Sequence, residues 1–441
     1  MSENQPNMPQ TQADPIQAAP DAQATDVVIV GAGPAGLMAA IAAAEAGARV
    51  VLCEQLDRPG AKLLATGGGR CNMTNTLEAE AFMARFGREG RFMQPTLSHM
   101  DSPGLREFFN RLGVRTTSPD GVQVYPVSNS AATVQKALLR RCGELGVSLR
   151  CGVCITGLTI VDGAVAGLET SQGPIAAQRV VLATGGKSYS ALGATGSGYE
   201  LARQAGHTII EPLPALVPLV LQEAWPRACA GVSLSPARVW IDLPKQSKAG
   251  VTGDVLITHT GLSGPAVLDL STEVSALLQH QPTVPIRLDL VPYVPADRWQ
   301  TRFDQWQRTH GTSLLRTQLA QYIPASLAQS IYRRAGLGDH DRVAHLSRAQ
   351  RDALVGLLTA LPLTVIGTEG FDKAIITRGG VSLRQVSPAQ LQSKLVKGLF
   401  FAGELLDLAG PCGGYNLQWA FSSGHLAGLS AARGRVHELH E

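Results

Sequence analysis

Three stretches of this chain carry residue types and spacings that could do chemistry. The first is G-x-G-x-x-G at Gly31, Gly33 and Gly36, followed by Glu54 and Gln55 at the end of the next apolar run. That spacing suits a dinucleotide. The first glycine permits a tight turn, the second lets a pyrophosphate approach bare backbone, and the third lets a helix pack closely on its strand. Pro34 and Ala35 open that helix, whose N–H groups and dipole would face the phosphates. Glu54 follows the glycines at the distance of about 20 residues at which an acid accepts ribose hydroxyls.

The second stretch is GGGRCNMTN at 67–75, where Gly67, Gly68 and Gly69 precede Arg70, Cys71 and Asn72. Three successive glycines make neither a good helix nor a good strand, and a glycine run beside a cation and an amide suits close approach of a ligand. The third is split. Thr184-Gly185-Gly186 and Gly403-Glu404 each follow a short apolar strand, and Gly413-Gly414-Tyr415-Asn416 opens a helix expected to run to about 432. A strand ending in glycines would bring more backbone up to a cofactor already held at the first turn.

The elements that position these groups follow from periodicity. Residues 26–30 and 49–53 read as buried strands flanking an alanine-rich helix over 35–46. Helical patterns follow at 103–112 and 130–145, then β text to about 183 with Asp162-Gly163 as a hairpin turn. Prolines punctuate 212–296, which predicts an inserted β-rich domain, with 253–271 reading as strand, polar turn and helix. Residues 297–362 turn helical and basic, with nine arginines against three aspartates between 298 and 351. The expected organisation is therefore a tail at 1–25, a discontinuous α/β cofactor domain at 26–211 and 363–435, and the insert between.

Composition narrows the class. A chain of 441 residues with 44% hydrophobic and 17% charged residues is an ordinary globular protein of two or three domains, and a net charge of +3 does not by itself call for nucleic acid. Seven scattered cysteines point to reduced thiols and a cytoplasmic setting. Cys151-x-x-Cys154 lies in a strand pattern that turns the two thiols to opposite faces, so no metal is expected. The glycines, Pro34, Glu45 and Arg49 within 27–52 argue against a membrane span. Gly193, Gly196 and Gly198 have the wrong order for a second dinucleotide site.

GAGPAG with Glu54, GGGRCNMTN, ATGGKSYSALGATGSGYELARQAGH (183–207), THTGLSGPAVLDLS (258–271), TRGGVSL (377–383) and GLFFAGELLDLAGPCGGYNLQWAFSSG (398–424) together resemble the bacterial HI0933-like flavoproteins, which include BaiN-type and YhiN-type proteins. The resemblance spans nearly the whole chain beyond the tail. It implies a Rossmann-type FAD domain interrupted by a β-barrel-like and helical insert, and an oxidoreductase that reduces an activated C=C bond, with NAD(P)H as a transient electron donor. It also implies that Gly31, Gly33, Gly36 and Glu54 hold the ADP half. Lys62, Arg70, Cys71, Asn72, Gly403, Glu404 and 413–416 would lie near the flavin. The chain departs from the family at Ala61, where a basic residue is frequent, and at Thr66, where serine is.

Within that picture the helix opening at 413–416 is expected to stabilise charge at flavin N1 and the C2 carbonyl, and Glu404 to accept a ribityl hydroxyl. Cys71, flanked by Arg70 and glycine backbone, has two readings: a thiol of lowered pKa that delivers the proton completing C=C reduction, or a buried, inert cysteine. Tyr189, His259 and Tyr415 are further proton-donor candidates, each with packing as its alternative role. The substrate is a small enone-like molecule or, if the arginines of 298–351 grip phosphates, a uracil of ribosomal RNA. A flavin-binding regulatory protein with little turnover is the remaining alternative. Nothing in the sequence specifies an oligomer.

Overall fold

The computed structural model describes residues 25–433, so the expected tail lies, except for Thr25, outside the described residues. Strand Val27–Val30, helix Pro34–Glu45 and strand Val50–Cys53 form the βαβ unit. Four apolar residues in a row bury both faces of each strand, which is why they lie inside a parallel sheet. The sheet runs in the order 399–401, 180–182, 27–30, 50–53, 148–150, with all neighbours parallel. Its strands come from both ends of the chain. The cofactor domain is therefore discontinuous, as the resemblance implied.

The C-terminal helix, Tyr415–Arg433, crosses the first helix at very short range. A Cβ on Gly424 would stand 2.1 Å from Ala35 O and one on Gly428 2.1 Å from Ala39 O, so these glycines let two backbones touch. The first helix is alanine-rich for the same reason: small side chains bury it on all sides.

The insert closes a six-stranded antiparallel barrel from 219–221, 261–263, 251–257, 233–241, 284–289 and 361–368. Helices over 296–309, 315–319, 325–334 and 348–360 share its core through Trp299, Phe303 and Trp306, Leu319, Tyr332 and Leu358. Two expectations are corrected here. Strand Leu361–Thr368 belongs to the barrel, so the return to the cofactor domain falls after 368, not at 363; its alternating burial answers the barrel interior. The polar turn expected in 253–271 contains a further short strand, Gly261–Ser263, before helix Pro265–Leu277. A two-stranded antiparallel link, 209–215 with 376–381, joins the barrel to the cofactor domain. The Asp162-Gly163 hairpin forms with both residues at positive φ, 51° and 74°.

His207 ties this scaffold to pH. Its Nε2 lies 2.7 Å from Ser393 Oγ, its ring packs edge-on to Phe401, and burial lowers its pKa to about 4. A histidine held neutral when folded but titrating at 6.5 when unfolded contributes stability that is complete above pH 6.5 and is lost as pH falls towards 4. His207→Gln removes that titration. Melting curves at pH 7 and pH 4.5 should show the wild type losing a few degrees more than the variant; equal losses would refute the assignment.

Candidate active site

A cavity of about 800 Å³ opens where the C-terminal ends of the parallel strands face the barrel, the usual ligand position in such sheets. Most of the sequence-predicted residues line it: Gly31, Gly33, Pro34, Ala35, Glu54, Gln55, Lys62, Arg70, Asn72, Thr184, Gly185, Tyr189, Glu404, Gly413, Gly414 and Asn416. Gly36, Gly69, Cys71, His259, Gly403 and Tyr415 do not.

Each end of the cavity is built by a helix N-terminus. At the first, Gly31 sits at φ 96° with its Cβ position 2.6 Å from Ala183 O, while a Cβ on Gly33 would meet nothing within 4 Å. Gly31 makes the turn and Gly33 leaves open space for a ligand. Gly36 packs rather than lines, its Cβ position falling 1.7 Å from Gly31 O. Glu54 is oriented by its neighbours, Oε2 accepting from Ala32 N at 2.8 Å and Oε1 from Leu56 N at 3.0 Å. Gln55 donates to Gly193 O, so the rejected glycine stretch serves as a wall of this same site.

At the second end, Gly413 and Gly414 both take positive φ and the long helix begins at Tyr415. Asn75 Nδ2 donates to Gly413 O at 3.0 Å, and Asn416 clamps the preceding loop through Gly410 N, Gly410 O and Pro411 O. The Tyr415 ring is packed against Phe82 at 4.9 Å, which makes it a support. Gly403 is likewise a support: its N–H donates to Ser423 Oγ and its carbonyl accepts from Trp419 Nε1.

Between the two ends lies an ion pair. Lys62 Nζ is 2.8 Å from Glu404 Oε2 and 2.8 Å from Ser188 Oγ. Glu404 Oε1 accepts from Thr377 N at 2.8 Å and Ser188 Oγ at 3.0 Å. Ser188 and Thr377 were missed as site residues, although both fall in quoted motifs. Also missed was an apolar wall of Leu216, Leu268, Ile375 and Ile376 at the junction with the barrel; residues this ordinary carry no local signal.

Cys71 takes its buried, inert reading, which corrects its place as a proton donor. It is fully buried at φ 61°, and desolvation raises its pKa to about 12. Arg70 gives no compensation because its guanidinium stacks over Tyr125 at 4.9 Å and its Nε bonds Gly67 O. His259 is exposed in the turn between two barrel strands. Cys151 and Cys154 lie between strands rather than within one, and Cys154 lines the cavity.

These features fit FAD. The uncapped N-terminus of the first helix, a bare glycine cradle, a ribose-placed acid and the glycines that open the C-terminal helix share one cavity, a set that suits a pyrophosphate and a flavin edge. The fold and site are those of a flavoprotein oxidoreductase. Residues 25–430 match the model of the HI0933-like protein Rossmann domain, and the chain belongs to that family. It is 36% identical over 407 residues to a 3-dehydro-bile acid delta(4,6)-reductase of Clostridium scindens, covering 92% of this chain and 98% of that one. It is 30% identical over 410 residues to a ribosomal RNA dihydrouridine synthase of Escherichia coli, covering 90% and 96%. The solved 3-ketosteroid delta1-dehydrogenase of Sterolibacterium denitrificans shares the fold, with a TM-score of 0.51 at 13% identity over 93% of this chain and 100% of that one. Among the described residues no helix is long and apolar enough to cross a membrane.

Proposed function

We propose that this protein reduces an electron-poor C=C bond in an apolar fused-ring ketone, drawing electrons from NAD(P)H. The observation that carries the reading is the wall of Leu216, Leu268, Ile375 and Ile376, which faces the same cavity as the helix opening at Tyr415. Apolar surface of this kind binds a steroid-like skeleton by excluding water. When bound, FAD supplies hydride chemistry at N5. The chain would supply the rest: Gly31, Gly33 and Glu54 would hold the ADP half, with Gly36 letting the helix pack close, and Lys62 and Glu404 would set the polar wall. The N–H groups after Gly413 stabilise charge at the pyrimidine edge. The named activity of the Clostridium scindens relative is of this reaction type.

A second reading, reduction of an RNA uracil, is supported by the Escherichia coli relative and by exposed Arg298, Arg308 and Arg316. Several of its arginines are otherwise engaged. Arg333 pairs with Asp339, Arg351 with Asp304, and Arg334 and Arg302 lie over the rings of Trp225 and Tyr322. The fused-ring ketone is therefore preferred.

The test is anaerobic. NADH or NADPH should bleach the yellow protein, and a 3-oxo-4,6-diene bile acid should restore the colour within seconds. Recolouring by ribosomal RNA alone would transfer the assignment to the second reading, and a flavin inert to both nicotinamides would refute the proposed electron source.

A further inference from the structure

With Cys71 sealed away, Tyr189 is the remaining proton-donor candidate that lines the cavity, and a thiol within the 398–424 motif joins it there. Cys412 lines the cavity immediately before Gly413. It belongs to a small apolar cluster with Ala215, Leu216, Ile376, Leu268 and Ala409, set apart from the two main cores at the junction of barrel and cofactor domain. Its backbone N–H donates to Asp269 Oδ1 at 2.7 Å, which sets the carboxylate beside the residue. Asp269 projects from helix Pro265–Leu277, so the contact joins the insert to the loop that opens the C-terminal helix.

We infer that Cys412 is the catalytic acid that protonates the substrate's α-carbon, and that Asp269 is the residue that positions it, by holding its backbone N–H and setting a carboxylate beside it. The inference rests on the reductase reading. Hydride addition to the β-carbon, with an electron pair supplied by the reduced nicotinamide, moves the π electrons of the C=C bond into an enolate. The S–H bond of Cys412 then breaks, a C–H bond forms at the α-carbon, and the S–H electron pair remains on sulfur. The thiolate recovers a proton from water, so the sum is one C=C bond, one NAD(P)H and one proton giving a saturated bond and NAD(P)⁺.

The location favours this role. Cys412 stands in the apolar wall where a fused-ring substrate would lie, next to Gly413 and Gly414, which line the same cavity. Burial and the neighbouring Asp269 carboxylate both push the thiol pKa up, so Cys412 stays protonated throughout the neutral range. A neutral thiol is still far more acidic than the C–H bond it creates. The charged and titratable groups around the couple are Arg85 and Tyr415, both of which act on or with Asp269.

Two measurements on the flavin-loaded full chain test the inference. In the first, dithionite-reduced wild type, Cys412→Ala and Cys412→Ser are mixed with a 3-oxo-4,6-diene bile acid in D₂O. Cys412→Ala should retain flavin but reoxidise about 100-fold or more slowly, and its deuterium should appear on both faces of the α-carbon instead of one. Wild-type rate and stereochemistry in Cys412→Ala would overturn the donor assignment alone. Failure of the wild type itself to reoxidise would overturn the reductase reading and the donor with it. The second measurement needs no turnover. Alkylation of Cys412 by iodoacetamide, followed by peptide mass spectrometry, should speed up several-fold at pH 8 in Asp269→Asn, because removing the carboxylate lets the thiol ionise more easily. An unchanged pH profile would remove Asp269 from its role.

Discussion

Gly36→Ala should yield a protein that no longer retains flavin through gel filtration. The added Cβ would stand 1.7 Å from Gly31 O, with Ala183 Cβ at 3.5 Å behind it. Neither backbone carbonyl nor sheet can yield locally, because Gly31 N is itself bonded to Cys53 O at 2.7 Å and the strand beneath is paired on both sides. The helix must lift from the strand. Overpacking of this kind costs about 1–3 kcal/mol, and the same displacement withdraws the helix N-terminus from the pyrophosphate position. Flavin affinity should fall at least about 100-fold, equivalent to ~2.7 kcal/mol. Gly33→Ala is the control: its Cβ meets nothing within 4 Å of protein, so the apo chain should fold normally and only cofactor binding should suffer. Thermal melts of the two apo variants separate the cases. Equal stability of wild type and apo Gly36→Ala would contradict the packing role.

The second large effect is expected at the Lys62–Glu404 pair. Both side chains are about one-fifth exposed, and the carboxylate takes three contacts, from Lys62, Ser188 Oγ and Thr377 N, while the lysine also donates to Ser188 Oγ. Lys62→Met would leave Glu404 partly buried with only neutral donors. Removing one member of a buried pair costs about 3–5 kcal/mol, and partial exposure places this pair towards the lower end. Removing both charges together in Lys62→Met/Glu404→Gln should recover much of the loss, because the second change deletes the stranded charge. A double-mutant cycle by urea denaturation measures this. Simple additivity of the two single effects would mean that the pair is not energetically coupled. Flavin retention in the double variant then reports what the polar wall contributes to binding beyond stability.

How much of this site was legible in the chain depends on the range of the forces involved. The glycine turn, the strand on each side of it and Glu54 lie within residues 27–54 and follow from local rules of periodicity, turn geometry and helix dipole. They were readable as a unit, and so were the family and the split cofactor domain, because their motifs are contiguous. The barrel was legible only as proline-punctuated β text. The expected boundary at 363 cuts its closing strand, 361–368, because alternation does not say which sheet receives it.

The thiols show the contrast most directly. Linear neighbours argued for Cys71, beside Arg70 and three glycines, and folding placed it at zero exposure while sending the guanidinium to Tyr125. Cys412, which has no charged neighbour in sequence, received Asp269 from 143 residues away and a place in the cavity wall. Lys62 found Glu404 across 342 residues. Backbone conformation is set by neighbours in the chain, so the primary structure alone determines the cofactor cradle. Desolvation and charge pairing are set by neighbours in space, so folding decides which acid, which thiol and which apolar wall meet at it.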